Sequence, residues 1–251
     1  MKYKKVAFIP ARSGSKRIPN KNIMMLNGHP MLAYSIRTAI DSGIFDSVIC
    51  ATDSELYAEI AKHYGAEVPF LRPSDISGDK SPDIDWVLWM LNNLKEHGRE
   101  YDIFSILRPT SPFRKSETIC RAWENFINDP KIDSLRAVEK CKQHPGKMWI
   151  MKNLRILPLM PFSNETVPWH SSQISSLPEI YVQNASLEIA RTDTVFLKNT
   201  IAGENIMPFL TKDLEGFDIN RIEDLILAQY YIKEKAATLH YINMKAYPCE
   251  I

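Results

Sequence analysis

Apolar residues recur along this chain in two alternating rhythms. Short apolar runs at Val6 to Pro10 and Ser47 to Ala51 have the length of buried strands, and Ile103 to Leu107 and Ser134 to Val138 read as further strands. Between them, apolar residues fall at helical spacing. One set is Leu32, Ile36, Ala39 and Ile40, with Gly43 as the stop; another is Ile84, Val87, Leu88, Leu91 and Leu94. A third comprises Ile119, Ala122, Trp123 and Phe126, with Ser116 as the expected cap, and a further helix is expected after Ser54 as N-cap. Glu67 to Leu71 reads as extended, a strand is expected at 187–190, and Arg221 to Lys233 reads as a closing helix. Strands alternating with helices predict crossover units, hence an α/β three-layer sandwich with a mostly parallel sheet.

The rhythm breaks between about 141 and 178. Pro145, Pro158, Pro161, Pro168 and Pro178 cluster there, with Trp149 and Trp169 among polar residues. Proline cannot donate to a central ladder, so this stretch predicts an excursion, an arm or lid, from a single domain spanning 1–251.

Bulk composition narrows the picture by exclusion. With 31 basic and 30 acidic side chains in 251 residues the formal charge is +1, which argues against wholesale nucleic-acid binding but leaves room for a basic pocket. Cys50, Cys120, Cys141 and Cys249 are scattered with no CxxC pair, the usage of a reduced cytoplasmic protein rather than of a zinc site or disulfide framework. No apolar run approaches the ~20 residues of a membrane span, and MKYKK leads directly into VAFIPA without a signal-peptide pattern.

In an open α/β sheet the chemistry belongs beyond the carboxyl ends of the strands. Four polar segments fall at that edge: Arg12 to Asn22, Arg72 to Ser81, Arg108 to Arg114, and Asp218 to Asn220. The first puts Arg12, Lys16, Arg17 and Lys21 around Ser13-Gly14-Ser15, where tight turns can aim N–H groups at phosphate and the cations supply countercharge. It is neither GxGxxG nor a Walker loop, so dinucleotide binding and P-loop hydrolysis are unsupported. A solvated basic loop is the plain alternative.

The stretch VAFIPARSGSKRIPNKN resembles the N-terminal signature of the acylneuraminate cytidylyltransferase family, whose members make CMP-sialic acid and related CMP-nonulosonates. The likeness continues through DSGIFDSVICATDSE, LRPSDISGDKSP, RPTSPFR and GFDINRIEDLILAQ, in the right order and over most of the chain. It implies a fold of the nucleotide-diphospho-sugar transferase type. It also implies Mg²⁺-dependent transfer of CMP from CTP to an acidic sugar, a nonulosonic or octulosonic acid, for bacterial surface glycan synthesis. Carried over position by position, it makes Arg12, Lys16 and Lys21 triphosphate contacts, puts Ser15 in the backbone cradle and Asn22 beside the nucleotide, and has Arg72 and Ser81 read the base. Asp218 matches a metal-holding carboxylate, while Gln183 and Asn184 lie on the expected sugar-facing strand. The 141–178 excursion corresponds to a dimerisation arm, implying a homodimer, with Lys152 and Arg155 as candidates for the sugar carboxylate.

Two positions depart from the family pattern. Arg108 stands where Gln commonly precedes PTSP, and Asn220 stands where a second aspartate is common. Arginine reads guanine acceptor edges well, so another base is the first rival; asparagine ligates magnesium without contributing charge, so a non-catalytic nucleotide-sugar-binding protein is the second. A related glycosyltransferase would need a mid-chain Asp-x-Asp, and Asp83-Ile84-Asp85 reads as the first turn of a helix. Individual residues have plainer roles beside the functional ones. Ser81 suits a helix cap, Arg108 or Arg114 a surface ion pair, Asp218 a helix N-terminal charge, and Trp86, Trp89 and Met90 the core.

Overall fold

A computed structural model describes residues 3–164 and 166–248. The chain divides into two compact units, one of residues 1–137 with 184–251, the other of 138–183.

The first unit is built on a six-stranded sheet. Its elements are β1 (Lys5–Pro10), α1 (Met31–Asp41), β2 (Ser47–Ala51), α2 (Glu55–His63), α3 (Asp83–Glu96), β3 (Ile103–Ile106) and α4 (Ser116–Asn128), then β4 (Ser134–Lys140), β5 (Tyr181–Arg191), α5 (Thr192–Lys198), β6 (Ile206–Leu210) and α6 (Ile222–Lys233). The strand order is β6-β4-β5-β3-β1-β2. β1 runs parallel to both neighbours, from Val6↔Ser47 to Pro10↔Ala51 and from Lys5↔Ile103 to Phe8↔Ile106. β5 runs antiparallel to β3, from Glu188↔Ile106 to Arg191↔Ile103, so the sheet is mixed but mostly parallel.

Successive side chains of a strand point to opposite faces, and both faces here are apolar. Val6 and Phe8 of β1, with Ile49 and Ala51 of β2, pack under Trp86, Val87, Met90, Leu91 and Leu94 of α3 and Val195 of α5. Ala7 and Ile9, with Val48 and Cys50, pack on the other side with Leu32 and Ile36 of α1, Ile60 of α2, Ile119 and Phe126 of α4 and Leu225 of α6. That is the three-layer sandwich the pattern predicts. Phe8 sits edge-on to Trp86 at 5.8 Å, and truncating it to alanine would cost about 3–5 kcal/mol in lost burial and cavity.

Local details differ from expectation. Glu67 makes one parallel bridge to Ile49, and the ladder goes no further because Pro69 follows and lacks an N–H. Ser116 is the first residue inside α4; Lys115 is the cap, its N–H received by Thr118 Oγ1 at 3.2 Å, while Ser116 Oγ donates to the Thr38 carbonyl. Pro82, not Ser81, precedes α3, and Arg221 is the cap of α6 rather than its first turn. Ser54 does cap α2, accepting from Tyr57 N at 3.4 Å.

The second unit is made of short local pairs. Trp149–Lys152 pairs with Arg155–Pro158 across a tight turn whose Asn153 has φ 57°, the left-handed value such turns require. Ser163–Asn164 pairs with Val167–Pro168. His144 accepts from Gly146 N at 3.0 Å, so close that a Cβ at 146 would meet its ring at 2.9 Å. Among the described residues Cys50, Cys120 and Cys141 are free thiols, whereas Cys249 lies outside them. No helix among the described residues is long and apolar enough to cross a membrane.

Candidate active site

Because β1, β2 and β3 are parallel and in register, the segments that follow them leave the sheet at one edge. They meet there in a cleft of about 360 Å³, lined by residues of all four polar segments: Arg12, Ser15, Lys21 and Asn22; Arg72, Gly78, Asp79 and Ser81; Arg108 to Thr110; and Asp218 with Asn220. Lys16 lies in an adjoining groove shared with Arg12, Ser15, Lys21, Asp79 and Asn220.

The basic loop is held from below. Ala11 N bonds the Ala51 carbonyl at 3.0 Å, continuing the sheet one residue past β1. Asp53, just beyond β2, receives Ser13 N at 2.8 Å and Ser13 Oγ at 2.9 Å. Buried Asn22 donates to the Arg12 carbonyl at 3.0 Å, which ties the far end of the loop to its start. Asn22 thus shapes the loop with its amide nitrogen. Asp79 closes the arrangement, with one oxygen 2.5 Å from Arg12 Nη2 and the other 2.7 Å from Lys16 Nζ. Those two hydrogen bonds hold its carboxyl below the usual aspartate range.

Lys21 projects across the floor, donating to the Ile219 carbonyl at 3.0 Å with Asn220 Oδ1 at 3.5 Å. Burial pushes its ammonium below 10.5; Asp218 opposes that shift, and Arg17 and Arg12 add to it. Asp218 is fixed through its neighbour. Ile219 is fully buried and its N–H bonds the Thr110 carbonyl at 2.9 Å, stitching this segment to the loop after β3. Asn220 Nδ2 donates to Asp218 Oδ2, and Asp218 Oδ1 is buried with no hydrogen-bond partner among the described residues. Asp224, not Asp218, serves as the charge at the start of α6, accepting from Asn220 N and Arg221 N at 2.8 Å each.

The opposite wall is a chain of alternating charges. Arg108 Nη2 reaches Asp83 Oδ2 at 2.5 Å and Glu188 Oε1 at 2.9 Å, and Glu188 is held in turn by Arg136. Asp83 also takes Trp86 Nε1 at 2.8 Å. Burial pushes its carboxyl up, yet the charge of Arg108 and the hydrogen bonds from Arg108 and Trp86 outweigh that and hold it below the ordinary range. Arg72 lies over the Trp86 ring at 5.1 Å and donates to the Ile76 carbonyl at 2.6 Å, while its Nε is buried without a hydrogen-bond partner among the described residues. Ser81 faces the cleft from a turn, receiving Gly78 N at 3.2 Å.

Two expectations change. Arg114 pairs with no surface carboxylate: it is fully buried beneath the cleft, donating to the Ser186 and Arg108 carbonyls and to Ser35 Oγ, and burial lowers its pKa. Arg108 is taken up by two carboxylates from within the fold. Asn184 spends its amide on Thr211 Oγ1 at 2.9 Å and on Ser186 N at 3.2 Å. Gln183, Lys152 and Arg155 are exposed residues of the 138–183 unit. Sequence reading passed over Asp53, Asp79, Glu188 and Arg136, and gave Asp83 and Trp86 only a helix start and a place in the core. Of these Glu188 carried a signal, since an unpartnered carboxylate is too costly for a buried strand and must have a cation.

Comparison with known proteins identifies the family and the fold. A family model described as cytidylyltransferase matches residues 6–145. CMP-N,N'-diacetyllegionaminic acid synthase of Legionella pneumophila is 31% identical over 230 residues, covering 89% of this chain and 94% of that one. Pseudaminic acid cytidylyltransferase of Campylobacter jejuni is 39% identical over 126 residues, which is 50% of this chain and 54% of that protein. Among solved structures, CMP:2-keto-3-deoxy-manno-octonic acid synthetase complexed with CTP matches with a TM-score of 0.65 at 17% identity, over 92% of this chain and 99% of that one, a likeness of fold.

Proposed function

The chain belongs to the cytidylyltransferase family, and from that premise we propose that it transfers CMP from CTP to an acidic sugar with release of pyrophosphate. The observation that carries this reading is the meeting of Arg12, Lys21, Arg72 and Asp218, from four separate segments, in one cleft at the carboxyl edge of the sheet.

In this reading the acceptor's anomeric hydroxyl attacks the α-phosphorus of CTP. An O–P bond forms, the bond to the β-phosphate oxygen breaks, and the hydroxyl proton is lost to solvent or to an oxyanion. Both reactants are anions, so positioning and charge neutralisation are most of what the protein must supply. Arg12, Lys16 and Lys21 hold the triphosphate and take the charge that develops on departing pyrophosphate, with Ser15 in the cradle. Asn22 keeps the loop in shape. Arg72, stacked on Trp86 with a spare Nε–H, and the Ser81 hydroxyl read the cytosine ring. Arg108 borders the same wall, held by Asp83 and Glu188, and Gln183 and Asn184 remain candidates toward the sugar.

Magnesium is the cofactor of this reading. An unpartnered, buried carboxylate oxygen on Asp218 fits a hard cation that completes its shell from phosphates and water. Asn220 orients Asp218 through its amide nitrogen, which leaves its Oδ1, 3.5 Å from Lys21 Nζ, as the atom it would offer the cation. Bound there, magnesium would neutralise the α-phosphate and orient the attacking hydroxyl. Homodimer formation through residues 141–178 belongs to the same reading. It is supported by exposed apolar side chains in that unit, Trp149, Ile150, Met151 and Leu157 among them. A monomer in sedimentation at micromolar concentration would remove it.

The test is pyrophosphate release with magnesium, offering CTP, GTP, UTP and ATP against nonulosonic and octulosonic acids. Release with CTP and one sugar is expected. Release with GTP alone would overturn the base assignment, and saturable CTP binding without turnover across the panel would favour the binding-protein alternative.

A further inference from the structure

Two of the three cations read as triphosphate contacts are already engaged. Asp79 lays one carboxylate oxygen on Arg12 and the other on Lys16, at 2.5 and 2.7 Å, spanning them as two oxygens of a phosphate group would. A polyphosphate and this carboxylate cannot share the pair, because like charges at contact distance repel. One must leave when the other arrives.

The surroundings of Asp79 suit it for leaving. It sits on a turn whose backbone bonds are local: Gly78 N to Ser81 Oγ, and Ser81 N to the Gly78 carbonyl at 3.3 Å. Its partner Lys16 is 82% exposed, and an ion pair so close to water is weak and readily exchanged. Asp53 is the contrasting case. Its two oxygens are spent on the Ser13 backbone and hydroxyl, so it shapes the loop and touches neither cation. The loop therefore has its own brace, and Asp79 is not needed for its form.

We propose that Asp79 is an exchange carboxylate of the catalytic cycle, seated on Arg12 and Lys16 between turnovers, displaced by the incoming triphosphate and returning as pyrophosphate departs. This rests on the cytidylyltransferase reading above. Asp79 touches no reacting atom and acts through the two cations: it lowers the empty site's hold on pyrophosphate and so speeds product release. A merely structural residue would weaken ligand binding when removed. Asp79 has the opposite sign.

The experiment measures pyrophosphate binding by calorimetry without added divalent cation, and product inhibition by pyrophosphate during turnover, in the wild type, Asp79→Asn and Asp79→Glu. Asp79→Asn should bind pyrophosphate roughly three- to tenfold tighter, with stronger product inhibition and lower kcat, and the gain should shrink at high salt. Asp79→Glu, which restores the charge, should move back toward the wild type. Unchanged or weaker pyrophosphate binding in Asp79→Asn, with wild-type binding intact, overturns the exchange role and leaves the reaction standing. A wild type that binds neither CTP nor pyrophosphate overturns both.

Discussion

The two ends of the cleft use arginine in opposite ways. At the loop end, Arg12, Lys16 and Lys21 are met by Asp79, a partner from a turn, and by backbone carbonyl. At the wall end, Arg108 and Arg136 are met by Asp83 and Glu188 on α3 and β5, and Glu188 is only 5% exposed. A cation whose counterion comes from a surface turn, paired within reach of water, keeps its charge available to an incoming anion. A cation fixed between carboxylates of the fold has a direction but little net field. The lesson is that charge counts alone do not identify a phosphate site; where each counterion comes from must be read with them.

Three sets of measurements test that contrast. The largest effect is expected on the floor between the ends. Asp218→Ala and Lys21→Ala should each lower kcat by about a hundredfold or more while leaving the folded structure intact, read by steady-state kinetics beside thermal melting. Near-normal turnover in either variant removes that residue from the chemistry. Lys21 adds a pH signature. Burial lowers its pKa from 10.5, so the cation is lost, and kcat/KM with it, as pH rises through the lowered value. Lys21→Arg should carry that alkaline limb upward. The same shift means the unfolded chain binds more protons there, so this group makes the fold more stable as pH rises through that window.

Next in size is the wall. Glu188→Gln leaves Arg136 buried, 10% exposed, without its carboxylate, and should cost about 3–5 kcal/mol in urea unfolding. CTP affinity in the protein that remains folded should change little, since Asp83 still holds Arg108. Loss of CTP binding with stability unchanged would break the contrast, making Glu188 a ligand contact rather than an internal counterion.

How much of this could be read beforehand follows from the range of each interaction. The strands β1 to β3 were legible because burial on both faces leaves largely apolar runs, β4 more faintly through Leu135, Ala137 and Val138, and α1, α3 and α4 because one buried face leaves a helical stripe. β6 was not, since Ile206–Leu210 is an edge strand with Pro208 inside it and three of its five residues exposed. α5, at seven residues, is too short to show a period. The first half of β5 is exposed and reads as loop. Within the cleft, the loop cations were visible as a cluster in sequence, and Arg72, Ser81 and Asp218 through their family motifs. Their counterions were not. Arg108 and Glu188 lie 80 positions apart, and Arg12 meets Asp79 only because the fold brings two strand ends together. Asp83 was seen as a helix start, which it is, and that local role hid its place in the wall.

The smallest effect is the sharpest on mechanism. Lys16 is a long, exposed cation, and Lys16→Ala should weaken CTP binding by only about two- to fivefold at low salt. In about 1 M salt the Debye length falls to about 3 Å, so this difference should vanish in a binding titration. The cost of Glu188→Gln, measured as stability, should persist at the same salt, because the surrounding fold keeps screening ions out of a buried pair. Raising salt thus separates the two ends without further mutation: one set of charges acts through solvent, the other inside the protein. A Lys16 effect that survives high salt would mean a direct, desolvated phosphate contact, and would move Lys16 from the mobile end of the cleft to the fixed one.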